Sequence, residues 1–293
     1  MKLQESRKTE LAELAEAVVE MNSPRRGPVD LVGIANAAGI KLHYGEYDEN
    51  FDGLIAHKDG IFHIHLNLRR MNGHRNSSRA RFTLAHELGH YFIDEHRNQL
   101  ITGKEPHASQ CGMFDGADCI EEQEADFFAA SLIMPPSRFI PAACGLGSPL
   151  ETILALANTF DASLTATALQ YTNHVSDRCL VVRWTTEGSH AWAIPGRGYR
   201  VAGFRSTLFK SPDKLPPDSA TGNVIANRKA HDSGVLTMAH VFQNVAMSGD
   251  RDSLVAEEAI ALGSYGVLTI ISDFVSPVTV SPRALRRRAK SIT

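Results

Sequence analysis

One short stretch decides the fold of this chain, and it reads Ala85-His86-Glu87-Leu88-Gly89-His90. Two histidines four residues apart lie one helical turn from each other on the same face, so both imidazoles can reach one metal ion. The glutamate after the first histidine is then placed beside the ion, where its carboxylate can take a proton from water. A helix that carries two unrelated surface histidines is the alternative, because the chain has 13 histidines.

The residues around this motif predict that it lies on a helix. Apolar side chains recur at mixed three- and four-residue spacings, which indicates one buried helix face. These side chains are Phe82, Leu84, Ala85, Leu88 and Phe92. Ser77 or Ser78 is placed to cap the start of the helix. Gly89 inside a helix costs about 1 kcal/mol relative to alanine, so we expect a packing reason for it, such as the close approach of another backbone.

A catalytic zinc needs a third protein ligand, and the best candidates lie in a second predicted helix over residues 120–134. Glu122 and Asp126 are four residues apart and share one face of that helix. One carboxylate can bind zinc while the other accepts a hydrogen bond from the outer nitrogen of a ligand histidine, which fixes the imidazole. Glu121 and Glu124 are competing ligands. The alternative explanation for each of these acidic residues is that it lies in the solvated first turn of the helix, where the helix dipole favours negative charge.

Together the two predicted helices resemble the ImmA/IrrE family of metallo-endopeptidases. The resemblance rests on residues 81–90 and on Glu122-x-Glu124-Ala125-Asp126-x-Phe128-Ala129 followed by Leu132-Ile133-Met134-Pro135. The specific motifs cover residues 79–136. Weaker similarity extends to three further stretches, residues 29–35, 52–54 and 161–169.

This resemblance implies a zinc site and a type of substrate. In the family, the two motif histidines and the glutamate of the second helix bind zinc, and the glutamate between the histidines is the general base. Carried over to this chain, the ligands are His86, His90 and Glu122, and the base is Glu87. Asp126 is then placed to orient a ligand histidine. Members of the family cleave helix-turn-helix repressors, which switches on stress-response or mobile-element genes.

Composition and charge favour a soluble protein of the cytoplasm. The chain has 293 residues, of which 43% are hydrophobic and 22% charged, and these are ordinary globular values. A formal charge of −3 provides no general attraction to nucleic acid or to membranes. The charged residues 1–8 argue against a signal peptide, and no apolar run is long enough to span a membrane. Four cysteines do not make a disulfide framework in a chain of this size.

The pattern along the chain predicts an α+β protein in three segments. Residues 1–135 form a zincin-like metallopeptidase domain, residues 136–175 a helical connector, and residues 176–293 a separate mixed α/β C-terminal domain with a basic tail. In the first segment, Lys58-Asp59-Gly60 marks a hairpin between two strands of a small sheet. The basic tail over residues 283–290 is expected to be a solvated end, so we do not expect direct binding to nucleic acid.

Two other groups of residues have simpler explanations than a second site. His63 and His65 alternate along one predicted strand, which a polar strand face exposed to solvent explains better than a second metal does. Cys111 and Cys119 flank a loop that follows His107, but their spacing matches no standard zinc site. We therefore expect ordinary loop cysteines.

The motifs predict a zinc-dependent endopeptidase, and the resemblance implies that it cleaves one intracellular partner, a helix-turn-helix repressor. Glu87 deprotonates the attacking water and then passes the proton to the leaving amine. His107 and Tyr91 are candidates, by their position in the sequence, for stabilising the oxyanion. The C-terminal segment is expected to sense a signal or to dock the partner. The alternative is a non-catalytic regulator or toxin-antitoxin component that binds a repressor without cutting it, and an intact Glu87 argues against it.

Overall fold

The structure is a computed structural model in which nine stretches of the chain are described. They are residues 3–22, 27–48, 51–71, 73–103, 106–109, 119–175, 177–203, 219–241 and 252–273. Two features of the sequence lie outside these residues, namely Cys111 and the basic tail over residues 283–290.

Contacts between Cα atoms divide the chain into two compact units. Unit 1 comprises Met1–Ala142 and Ala157–Ser163, and unit 2 comprises Ala143–Leu156 and Leu164–Thr293. The helices predicted for residues 136–175 are present, and these contacts divide them between the two units. Whether the chain works as three functional segments stays a prediction.

Unit 1 consists of helices packed on a four-stranded sheet. Its helices are α1 (Glu5–Asn22), α2 (Leu31–Ala37), α3 (Ser78–Phe92), α4 (Asp94–Thr102), α5 (Ile120–Ile133) and α6 (Pro136–Ala143). Its strands are β1 (Lys41–Gly45), β2 (Gly53–Lys58), β3 (Ile61–Asn67) and β4 (His107–Ser109). The strand order is β1-β3-β2-β4, with β1 parallel to β3 and the other pairs antiparallel.

The hairpin between β2 and β3 has the turn that the sequence predicted. Asp59 and Gly60 form a two-residue connection with φ values of 53° and 79°. Positive φ at both central residues is the geometry that suits a tight antiparallel hairpin, and glycine adopts it without steric cost. The turn therefore fixes the register in which Ile55 lies opposite Ile64, and both of these side chains are buried.

The prediction that Gly89 has a packing reason is confirmed. A Cβ atom at this position would lie 3.2 Å from the Cα atom of Ala125 and 3.3 Å from its carbonyl oxygen. The backbones of helices α3 and α5 are therefore in close contact at Gly89 and Ala125. This contact brings the face of α3 that carries His86 and His90 close to α5. Any larger residue at position 89 would push α5 away from α3.

Unit 2 contains a five-stranded antiparallel sheet in the order β6-β5-β9-β8-β7. Its strands are β5 (Cys179–Trp184), β6 (His190–Pro195), β7 (His231–Thr237), β8 (Leu254–Ala261) and β9 (Val267–Asp273). Helix α7 (Pro149–Thr159) crosses the boundary between the units, and the remaining helices are α8 (Leu164–His174), α9 (Arg197–Val201), α10 (Ala220–Asn227) and α11 (Met238–Val241). The core of this unit is built around Trp184, Tyr199 and Ile271, which are fully buried.

None of the helices within the described ranges has both the length and the apolar character that crossing a lipid bilayer requires.

Candidate metal centre

Helix α3 presents its two histidines and the glutamate between them to the interior of unit 1. The side-chain oxygen of Ser77 caps the helix by accepting a hydrogen bond from the backbone N–H of Ala80, as the sequence predicted. His86, Glu87 and His90 are 1%, 0% and 3% exposed. Polar side chains are buried in this way only where they have partners or a function, so surface histidines do not explain the motif.

Helix α5 brings Glu122 to the same point. The Nε2 atoms of His86 and His90 are 3.1 Å apart. Oε2 of Glu122 lies 3.4 Å from Nε2 of His86, and Oε1 lies 3.5 Å from Nε2 of His90. The structure therefore brings together the three residues that the sequence singled out as ligands.

A fourth side chain joins this group. His107, at the start of β4, places Nε2 2.8 Å from Oε1 of Glu122. One ligand atom from each of His86, His90, His107 and Glu122 can be chosen so that all four lie within 4.8 Å of one another. Within the described ranges this is the one group of histidine, cysteine and acidic side chains that meets this criterion.

The chemistry of these donors fits a metal ion. Nε2 of His107 and Oε1 of Glu122 are buried and have no hydrogen-bond partner among the described residues, although the two atoms are only 2.8 Å apart. Two buried ligand-type atoms this close to each other, in a group that also contains His86 and His90, can share one ion. Imidazole nitrogens with a carboxylate oxygen are a donor set that suits zinc.

The charge states of His90 and Glu122 also suit a metal. Burial lowers the pKa of His90 to about 3, which keeps its imidazole neutral at neutral pH. Burial alone would raise the pKa of Glu122, but contacts with His107, His86 and His90 outweigh it and hold that pKa far below its usual range. Burial opposes protonation of His107, yet the neighbouring Glu122 carboxylate raises its pKa. A neutral His90 and an ionised Glu122 are the forms that bind metal.

Asp126 orients one of the histidines. Its Oδ1 atom is 2.8 Å from Nδ1 of His86, the ring nitrogen that faces away from the ligand group. A carboxylate in this position fixes the tautomer of the imidazole and leaves Nε2 free to bind an ion. The arrangement is the one expected from the four-residue spacing of Glu122 and Asp126.

The two competing acidic residues of α5 lie elsewhere. Glu124 is engaged by Arg7 at 2.9 Å and by His96 at 3.1 Å, which ties α5 to α1 and α4. Oε2 of Glu121 accepts a hydrogen bond from the thiol of Cys119 at 3.1 Å. Neither carboxylate belongs to the ligand group.

Glu87 lies in a pocket that leaves one of its oxygens available. Oε1 accepts a hydrogen bond from the hydroxyl of Ser109, and Oε2 is buried without a hydrogen-bond partner among the described residues. Burial raises the pKa of Glu87, whereas His86 and then the Ser109 hydroxyl lower it. A buried carboxylate with one held and one unpaired oxygen is suited to exchanging a proton with a small molecule such as water.

Sequence reasoning did not find the part that β4 plays. His107 and Ser109 alternate along this strand, so both face the site, where one meets Glu122 and the other Glu87. His107 had been considered only as an oxyanion candidate. Tyr91, the other candidate, donates a hydrogen bond from its hydroxyl to the carbonyl of Ala38, which lies outside the ligand group.

His63 and His65 take no part in the metal group. They lie on β3 beside His43 of β1, with ring centroids 5.3 Å and 4.5 Å from that of His43. All three imidazoles are partly buried, so this strand face is more closely packed than an open polar surface.

A helix with the His-Glu-x-x-His pattern that faces a second helix with an acidic ligand defines a candidate metallopeptidase centre. Residues 64–171 match the family Peptidase_M78, the IrrE N-terminal-like domain. The match over residues 64–171 confirms the resemblance to the ImmA/IrrE family that the motifs indicated. The family suggests a metal-dependent peptidase.

Among solved structures, a Mycobacterium tuberculosis transcriptional regulator is similar, with a TM-score of 0.57 and 14% sequence identity. The similarity covers 90% of this chain and 76% of the regulator. At this identity the likeness concerns the fold alone. No curated protein matches the chain.

Proposed function

We propose that this chain is a zinc-dependent endopeptidase that cleaves one specific intracellular partner, a helix-turn-helix transcriptional repressor. Cleavage would switch on a stress-response or mobile-element programme. The observation that carries the proposal is the buried pairing of a metal-ligand group with Glu87, whose Oε2 atom has no hydrogen-bond partner in the described part of the chain. The family match over residues 64–171 supports the activity, and the protein of similar fold is named a transcriptional regulator.

In the proposed mechanism, His86, His90 and Glu122 hold the zinc ion, and Asp126 keeps His86 in the ligating orientation. A zinc ion bound there supplies a Lewis acid that polarises the scissile carbonyl and makes a neighbouring water acidic, with a pKa of about 7. Glu87 would take a proton from the attacking water on Oε2 while Ser109 holds Oε1. Glu87 then delivers the proton to the nitrogen of the leaving amine.

The edge of the sheet in unit 1 supports an extended substrate. Strand β4 is paired only with β2 in the described part of the chain, and its side chains His107 and Ser109 face the site. An exposed strand edge can add an extended peptide through backbone hydrogen bonds. A peptide paired along β4 would pass its scissile bond close to Glu87.

A non-catalytic regulator is the second candidate, and Glu87 argues against it. An unsatisfied buried polar group costs about 1–3 kcal/mol, and more when it is charged. A metal that only holds the fold has no use for such a group beside it. We therefore expect Glu87 to be present for catalysis.

The proposal is tested by mixing the purified chain and zinc with candidate helix-turn-helix repressors, starting with any that is encoded beside its gene. We expect one or a few cuts in the repressor by intact-mass spectrometry, and none with Glu87→Gln or with a chelator. Casein is the control for specificity and should remain intact. Stable binding of the repressor without a cut would favour the regulator, and rapid digestion of casein would contradict a specific protease.

We also propose that the C-terminal segment, residues 176–293, senses a signal or docks the repressor. Because residues 164–175 share contacts with unit 2, a chain that ends after Ser163 is the cleaner truncation. We expect that chain to retain zinc and to lose partner affinity or the response to the signal. Cleavage at the normal rate with the normal response would exclude both roles.

A further inference from the structure

His107 differs from the other members of the ligand group in how it is held. The side chains of His86 and His90 are 2% and 4% exposed, whereas that of His107 is 34% exposed. His107 also lies on a strand of only three residues, which pairs with one neighbour, β2, in the described part of the chain. Of the four, it is the side chain that can leave the group with the least disturbance of the core.

The separations between the ligand atoms match a four-coordinate ion. Two atoms that are each 2.0–2.1 Å from a tetrahedral zinc ion lie about 3.3 Å from one another. The observed separations are 3.1 Å between Nε2 of His86 and Nε2 of His90, 3.4 Å from His86 to Oε2 of Glu122, and 3.5 Å from His90 to Oε1 of Glu122. The 2.8 Å between His107 and Glu122 places His107 at the same kind of distance.

This distance distinguishes a ligand from an oxyanion donor. A side chain that stabilises an oxyanion stands 2.7–3.1 Å from that oxygen, so its nitrogen would be about 4 Å from the ion rather than about 2 Å. It would then be separated from the ligand oxygen of Glu122 by the substrate. The direct approach of Nε2 of His107 to Oε1 of Glu122, at 2.8 Å, fits two ligands of a shared ion instead.

We propose that His107 is a fourth protein ligand of the resting enzyme and keeps it latent. With three histidines and Glu122 bound, the site is closed, as in structural zinc sites, whereas a catalytic site keeps one position open. Water and the substrate carbonyl gain access only when His107 moves away. The inference rests on the proposed function, because latency has meaning only for an enzyme.

The position of His107 suggests what opens the site. Its strand, β4, is the sheet edge to which an extended partner would add, so docking of the partner there can turn the side chain of His107 out of the ligand group while Ser109 keeps its hydrogen bond to Glu87. The specific partner would then both activate the protease and serve as its substrate. Such coupling keeps an intracellular protease inactive towards other proteins.

The test uses the full-length chain loaded with zinc or cobalt. We expect X-ray absorption to show three histidine nitrogens around zinc in the wild type and two in His107→Ala. Azide should bind cobalt in His107→Ala at least tenfold more tightly than in the wild type, because the fourth position is open. His74→Ala, which changes an exposed histidine outside the group, is the matched control and should behave as the wild type.

Several outcomes separate this inference from the proposed function. The inference about His107 is wrong if the wild type and His107→Ala bind azide equally tightly and show the same number of histidine nitrogens around zinc. This holds even if the enzyme cleaves its repressor. If His107→Ala loses the metal or fails to fold, His107→Gln is compared with the wild type in the same azide titration, and equal affinity again overturns it. Failure of the wild type to bind any metal would instead contradict the proposed function.

Discussion

The carboxylate of Glu87 is seated against the backbone of Gly53, so closely that a Cβ atom at position 53 would overlap with Oε1 of Glu87. The same Cβ atom would also lie 2.6 Å from a methyl group of Thr83 on α3. Glycine at this point of β2 therefore sets how near Glu87 can approach the sheet.

Gly53→Ala is expected to displace Glu87 while the metal stays bound. We predict a loss of at least about tenfold in kcat, which corresponds to roughly 1.4 kcal/mol, with zinc content unchanged. Steady-state cleavage of the repressor and zinc analysis of the same sample check this. Gly234→Ala is the matched control, because a Cβ atom there meets only ordinary contacts of 3.7–3.8 Å. Equal activity of the two variants would contradict the packing argument.

Ser109→Ala should change the pH dependence of cleavage. The hydrogen bond from Ser109 lowers the pKa of Glu87, against burial, which raises it. Its loss raises the pKa of the base, so the acidic limb of the kcat/KM profile moves to higher pH. A hydrogen bond to a charged group contributes about 1.5–3 kcal/mol. Zinc content serves as the control. If the acidic limb of the kcat/KM profile stays at the same pH in a fully zinc-loaded variant, Ser109 does not lower the pKa of Glu87.

Asp126→Asn tests the support of His86. An amide in place of the carboxylate keeps the shape but weakens the hydrogen bond to Nδ1 of His86, which is now 2.8 Å long. We expect zinc affinity to fall about 10–100-fold, as measured by competition with a chromophoric chelator. Glu121→Gln is a suitable control, since Glu121 contacts Cys119 rather than the ligand group. Identical affinities in both variants would show that Asp126 does not position His86.

The helices that carry the site were predictable because their signals are local. The spacing of His86 and His90, and that of Glu122 and Asp126, places each pair on one helix face wherever the helix packs. Ser77 acts through a neighbour three residues away. Gly89 was identified as unusual from helix propensity alone, and the structure supplied its partner, Ala125.

The contribution of β4 was not predictable because it depends on a distant partner. A strand of three residues has no periodic pattern, and it exists through pairing with β2, more than 50 residues earlier in the chain. His107 and Ser109 therefore acquire their contacts only from tertiary structure. Sequence spacing offered His107 as a candidate but gave no sign of its contact with Glu122.

Strand β8 was missed for another reason. Its two central residues, Glu257 and Glu258, are both buried, which breaks the alternation expected of a half-buried strand. The carboxylate of Glu257 accepts hydrogen bonds from the backbone of Ala220 and Thr221 at the start of α10. Glu258 accepts one from the hydroxyl of Ser148. Buried carboxylates with such partners are invisible in the sequence.

Glu258 should make unit 2 less stable as pH rises. Burial raises the pKa of Glu258, so the folded state holds the proton more tightly than the unfolded state does. Its stability contribution is therefore present below the ordinary carboxyl pKa and is lost as pH rises through the raised pKa. We expect Glu258→Gln to slow hydrogen exchange in β8 relative to the wild type at neutral pH, and this difference to vanish near pH 4. Equal differences at both pH values would contradict the assignment.

The most direct test of the account is to measure zinc per chain and repressor cleavage on the same preparations of the wild type, Glu87→Gln and Glu122→Ala. The account predicts about one zinc and active cleavage for the wild type, and one zinc without cleavage for Glu87→Gln. For Glu122→Ala it predicts reduced zinc and no cleavage. Cleavage by Glu87→Gln at the wild-type rate, or full zinc retention in Glu122→Ala, would contradict it.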